Sequence, residues 1–354
     1  MSRRRLLRDG AALAATTVLV GCAGRQMDRG GGGAEAEVPR SSPGDFPHPV
    51  EHRSVDGRLD VSLTAAPRRG TAEGLLAYNE GPIGPTLRVR PGDSIGIDLH
   101  NQLDEATNLH THGLLVSPSG SADNVFVSIP PGERRRYEYQ LPADHPIGTY
   151  WYHPHLHGSV ARQTAAGLVG AIVVEPENGA MAFGATVERT LVLNDPVPFD
   201  IGRSHMVEMH GRAGGEVAVN GVAAPRFGVA KGGRELWRVI NASASRRLPF
   251  GIDGVAVDVI GLDGHLLESR RTVEGVVLSP GERADVVVTI PDRDEVSIFA
   301  DVDGGPLAVA IPTSSVDDSV DSRSVEAETT ARRLGAGDVT GHRTLRFGAE
   351  RGGM

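Results

Sequence analysis

The stretch PGERRRYEYQLP, residues 131–142, recurs 149 residues later as PGERADVVVTIP, residues 280–291. In each copy a Pro-Gly turn leads into a short run rich in Tyr or Val that stops at another Pro, which is how a turn-bounded strand reads. A second echo precedes it in the same order. GPTLRVRPGDSIGIDLHNQ (84–102) matches PRFGVAKGGRELWRVINAS (225–243), each a pair of strands ending in Asn. A repeat kept in order implies two similar units, and short strands between Gly, Pro, Asp and Asn turns imply β-sandwiches. They are expected over about 55–177 and 186–312, with cores that include Leu87, Val89, Ile95, Ile97, Val286 and Val288. A one-residue slip would turn those side chains to the wrong face. No segment shows a long, capped helical period.

Composition agrees and excludes several classes. The chain has 354 residues, enough for about two domains. Gly and Pro make up about 19% of it, turn-rich but below the 25–30% or so that marks low-complexity disorder. With 39% hydrophobic residues a sizeable core can form, yet no apolar run reaches the roughly 18 residues of a membrane-spanning helix. A net charge of -9 with a single lysine, Lys231, argues against nucleic acid as a partner. One cysteine, Cys22, permits no intrachain disulfide, Cys-rich zinc site or iron–sulfur cluster.

The ends read differently from the middle. MSRRRLLRDGAALAATTVLVGC (1–22) has a basic start and an apolar segment, as an export signal does. Arg3 and Arg4 resemble a twin-arginine signal, and Val20-Gly21-Cys22 resembles a lipobox, implying a lipid anchor on Cys22. On this reading the protein is exported to the periplasmic or extracellular face and meets a membrane only through that lipid. Residues 23–50 read as a flexible tether, too poor in apolar groups to order themselves. Residues 313–354, polar and charged before a lone TLRFGAE, read as a linker.

Chemistry concentrates in the first unit. His110-Thr111-His112-Gly113 lies 43 residues ahead of Tyr152-His153-Pro154-His155-Leu156-His157-Gly158. In a strand, residues i and i+2 share a face, so each H-x-H can present two imidazoles side by side. One such pair is weak evidence, whereas two in one sandwich offer four nitrogens to metal. Neutral imidazole suits Cu, Zn, Fe and Ni alike, so the donors alone do not choose the ion.

At this point LHTHGLLVSPSGSADNVF (109–126) and PIGTYWYHPHLHGSVARQTAAGLVGAIVVE (146–175) resemble the first two copper motifs of the multicopper oxidases, with their flanks. The resemblance covers nearly all of the chain after the signal. It implies two cupredoxin-like, or plastocyanin-like, Greek-key sandwiches. It also implies copper as cofactor, with His110 on type 2 copper and His112, His153 and His155 on the type 3 pair. Asp123 then resembles the family's acid that assists proton delivery to bound dioxygen; the alternative reading is a turn-forming Asp before Asn124. His157 is expected to be structural, His145 to be satisfied within its loop, and Trp151 and Tyr152 to be packing residues.

The family's last domain carries two further motifs, H-P-x-H-x-H and H-C-H, which are not found here; His205, His210, His265 and His342 are isolated and read as surface or loop residues. Type 1 copper requires a Cys thiolate, and the single Cys lies in the signal, so a type 1 site is not expected and the nitrite reductases, which need that thiolate, are set aside. The resemblance then supplies half of a trinuclear centre, four of the family's eight histidines. Three accounts stay open: an oxidase whose last domain is missing, a subunit completed by a separate third-domain chain, and a copper-binding or interaction module without turnover.

Overall fold

The computed structural model describes residues 46–71, 74–177, 183–196, 216–299 and 307–315. The signal over 1–22 with Cys22, most of the expected tether and linker, and His205, His210 and His342 lie outside the described residues.

The fold is all-β. Alternating strand residues build two sandwiches of two sheets each. The first has a five-stranded sheet in the spatial order Glu51–Arg53, Thr86–Val89, Gly170–Val174, Gly148–His153, His110–His112, facing a four-stranded sheet in the order Leu76–Tyr78, Arg58–Pro67, Ser94–Asn101, Arg134–Gln140. The second has a seven-stranded sheet whose middle strands are Val187–Asn194, Arg234–Asn241 and Arg283–Thr289, facing a five-stranded one. Both repeat the same mixed pairing. Arg58–Pro67 runs parallel to Ser94–Asn101, which is antiparallel to Arg134–Gln140; Val187–Asn194, Arg234–Asn241 and Arg283–Thr289 do the same. Neighbouring strands distant in sequence give the crossed-over connections of Greek-key sandwiches. Among the described residues the one helix is the single turn and a half Val160–Ala165.

Each sandwich closes on its own core. Leu87, Val89, Ile95, Ile97, Tyr150 and Tyr152 meet inside the first, and Trp237, Phe250, Val286 and Val288 inside the second. The end of the stretch expected as a tether departs from that reading. Phe46 packs edge-on against Phe227 at 4.9 Å, and the Pro47 carbonyl accepts the Asn220 amide at 2.9 Å. One buried aromatic ring offsets the ordering cost of its polar neighbours. At the other end the strand Ala308–Ser315 runs three residues into the expected linker.

A third layer decides where the site sits. The strand Gly148–His153 is buried along its whole length because both of its faces are covered. Tyr152 points into the first core, while Trp151 points outward and joins Ile83, Val169 and Ala171 against Val192, Ile240 and Ala242 of the second sandwich. Beside this apolar patch the seam is charged. Arg88 reaches Glu175 and Glu188 at 2.7 Å, Arg238 donates to Glu188 at 2.8 Å, and Thr149 donates to Asp285. Burial alone would raise the Glu188 carboxyl, but Arg238 and Arg88 outweigh it and hold it at about 2.

Candidate metal centre

His110 and His112 lie on the edge strand of the five-stranded sheet and share its outward face, as the H-x-H spacing predicts. The register sets His110 opposite His153 and His112 opposite Trp151. The second pair is assembled differently from the strand reading, because the strand ends at His153. Pro154 has no N–H to continue the ladder. His155 follows outside the strand, and its backbone N–H is held by the Asn108 side-chain oxygen at 2.6 Å. The same Asn108 donates to the carbonyls of Val125 at 2.9 Å and Val127 at 3.1 Å, tying the loop of Asp123 to the second motif.

The four expected imidazoles converge. Ring centroids of His110 lie 5.6 Å from His112, 5.3 Å from His153 and 5.0 Å from His155. His110, His112 and His153 each bring one ring nitrogen to within 4.8 Å of the other two. His155 is the most exposed of the four, and His157 is exposed on the turn beyond it. His265, expected on the surface or in a loop, is exposed but lies on the strand His265–Val273.

Second partners orient these rings. Asp123 contacts His110 Nδ1 at 2.9 Å and accepts the Thr111 N–H at 2.8 Å. Its carboxylate thus fixes the His110 tautomer, leaving Nε2 free to ligate. His153 Nδ1 donates to the Pro154 carbonyl at 2.8 Å, which leaves its Nε2, 3.4 Å from His112 Nδ1, as the nitrogen that faces the cluster. Burial, then the Arg283 charge, lowers the His112 pKa to about 4. Burial, with His110 and His112 alongside, lowers that of His153 well below the usual imidazole value. Both rings are therefore neutral at pH 7, the form that binds metal.

Two contributions went unread in the sequence. Trp151 does more than pack, since its indole stacks on His153 at 4.1 Å and on His112 at 5.0 Å. The second sandwich also reaches the site. A Cβ on Gly281 would lie 2.8 Å from His112 Cε1. Beside it Arg283 donates to the Thr149 carbonyl at 3.1 Å and to Asp263 at 3.0 Å, with its guanidinium 5.7 Å from the Tyr150 ring centre. Gly281 and Arg283 belong to the second PGER copy, so the repeat was the available signal.

Two mixed β-sandwiches with a histidine cluster at their seam are the class of protein that the fold and site define. Within it the chain belongs to the multicopper oxidase family, whose domain profiles, both described as "Multicopper oxidase", match residues 61–179 and 186–311. It is 30% identical over 221 residues to the multicopper oxidase mco of Staphylococcus haemolyticus, covering 61% of this chain and 48% of that one. It is 31% identical over 229 residues to the cell division protein FtsP of Xenorhabdus nematophila, covering 62% and 47%. A multicopper oxidase structure from Pseudomonas thermotolerans superposes with a TM-score of 0.63 at 27% identity, over 73% of this chain and 64% of that one. The chain spans about half the length of the curated relatives it matches.

Proposed function

We propose that the chain is an exported copper-binding protein whose His110, His112, His153 and His155 hold one side of a copper cluster of type 2 and type 3 character. The carrying observation is the convergence of three ring nitrogens within 4.8 Å, on rings oriented by Asp123 and by the Pro154 carbonyl. The donor set fits copper, which imidazole ligates well, and family membership makes copper the ion to test. Bound copper would supply one-electron redox chemistry and a place for dioxygen, the reaction that multicopper oxidases couple to oxidation of a reductant. The protein's own part is to hold four imidazoles on one wall, leaving positions for further donors from another domain or chain. Asp123 fixes His110 and keeps a carboxylate beside the site for proton traffic. No thiolate is available outside Cys22, so type 1 copper is not assigned to this chain.

Equilibrium dialysis against copper tests this. One or two ions should be retained per chain, without intense blue colour, and His153→Ala with His155→Ala should abolish retention. Retention unaffected by the double change would refute the assignment. A second reading, a non-catalytic role in an assembly, is favoured by the equal similarity to a cell division protein and predicts no specific retention. Export rests on Arg3, Arg4 and Cys22. A mature N-terminus away from a lipid-bearing Cys22 would count against the anchor.

A further inference from the structure

The second sandwich offers no ligand in the described histidine cluster, yet its Pro280–Arg283 turn touches that cluster directly. Gly281 has φ +86°, and a Cβ placed there would meet His112 Cε1 at 2.8 Å and Nε2 at 3.3 Å, closer than ordinary van der Waals contact. The turn cannot easily retreat. Gly281 N–H donates to the Asn241 carbonyl at 2.8 Å, Asn241 N–H donates to the Glu282 carbonyl at 3.0 Å, and Arg283 clamps the Gly281 carbonyl at 3.1 Å. The Ser279 N–H, bound to Glu282 Oε2 at 2.6 Å, closes the turn from the other end.

His112 is bounded on its other sides as well. Trp151 stacks on the ring with an interplanar angle of 24°, and Nδ1 lies 3.4 Å from His153 Nε2. The next residue, Gly113, is hemmed in by Arg283, since a Cβ there would come to 2.5 Å from Nη2. The imidazole therefore sits in a slot made by one tryptophan of its own sandwich and one glycine of the other.

We infer that the Pro280–Arg283 turn is a positioning element of the metal site, setting the ring of His112 through the bare Cα of Gly281. The inference rests on the reading of His112 as a copper ligand. It makes the second sandwich a determinant of copper affinity, and it gives Gly281 a constraint, the approach to His112, beyond the positive φ that it shares with its counterpart in the first sandwich. That counterpart, Gly132, has φ +78°, and a Cβ there would find nothing within 4 Å.

The two glycines form a matched pair. Gly281→Ala and Gly132→Ala incur the same left-handed backbone strain, but only the first meets His112. Copper titration of the whole protein against a competing chelator, followed by quenching of Trp151 emission in a Trp237→Phe background, reads the difference. Gly281→Ala should weaken copper binding about tenfold or more, the range typical of residues that orient a ligand. Gly132→Ala should leave it within about twofold while still lowering the melting temperature through the backbone strain that the two positions share. In a His112→Ala background Gly281→Ala should have no further effect, because its action runs through that ring. If Gly281→Ala does not fold, Gly281→Asn and Gly132→Asn repeat the comparison with a residue that tolerates positive φ. Equal copper affinities for the paired variants would overturn the inference. His112→Ala binding copper like the parent would instead overturn the ligand reading beneath it.

Discussion

The two PGER turns have nearly one backbone and two different lives. Gly132 and Gly281 each donate to the carbonyl of the strand-ending asparagine, Asn101 or Asn241, at 2.8 Å. Each asparagine spans its loop with the side-chain amide, Asn101 to Glu105 and Ile129 and Asn241 to Arg246 and Leu278, at 2.8–2.9 Å. Beyond that local match everything differs. Arg134 is exposed, whereas Arg283 is buried between the sandwiches and hydrogen-bonded to both. A repeated sequence thus fixes a repeated turn, while the docking of one sandwich on the other decides which copy becomes part of a site.

The largest test of this contrast sets the buried charges of the seam against exposed charges on the outer sheet. Arg238, with only 9% of its side chain exposed, holds Glu188 at 2.8 Å and lies 3.4 Å from Asp285. Removing it strands buried carboxylates. Arg238→Ala should cost about 3–5 kcal/mol in urea unfolding. Arg136 bridges Asp98 and Glu138 at 2.7 Å each, but on a solvated face, with 33% of its side chain exposed. Arg136→Ala should cost about 1 kcal/mol or less. Equal costs would mean that the seam is wetter than its burial indicates.

A smaller effect tests the turns themselves. Arg283→Ala deletes charge-assisted bonds to the Thr149 and Gly281 carbonyls and to Asp263, and should cost about 2 kcal/mol. Arg134→Ala, the same change on the exposed copy, should stay within about 0.5 kcal/mol. Denaturation midpoints of the two variants are a direct comparison of one motif in two environments.

Much of this was legible in the sequence, for identifiable reasons. Alternation exposed the strands, and Leu87, Ile95 and Val286 are fully buried because period-two patterning is local physics. His110 and His112 were legible on the same ground. His155 was reached from the same spacing but not by the route that the structure takes, since Pro154 ends the strand and the backbone N–H of His155 is held by Asn108 from 47 residues away. Phe46 was hidden because one aromatic in a polar stretch carries no periodicity. The seam was hidden too: Trp151 beside Tyr152 looks like any buried pair, and nothing local tells which of the two faces a second domain.

The smallest expected effect separates two histidines that interact across the seam. His145 is 3% exposed; its Nε2 accepts the Leu115 N–H at 3.0 Å while its Nδ1 donates to the Pro146 carbonyl at 2.9 Å. One partner lies next door, as expected from the sequence, but the other lies 30 residues away, just beyond His112. Both bonds together require the neutral ring. Burial lowers its pKa, the Pro146 carbonyl opposes this, His265 lowers it further and Asp144 raises it. With the folded pKa below the unfolded value of about 6.5, the unfolded state takes up the proton first. The stabilisation from His145 is therefore complete above about pH 6.5 and is lost as pH falls below it. His145→Gln should be less stable than the parent at pH 7, and that gap should narrow by pH 5. His265 is exposed and holds the Asp263 carbonyl, so His265→Gln should cost less stability at pH 7 than His145→Gln does. Because buried His112 and His153 tilt the parent's own pH profile in the same direction, the difference between variants is the quantity to measure. A gap for His145→Gln that stays constant from pH 7 to pH 5 would show that the ring does not carry this proton linkage.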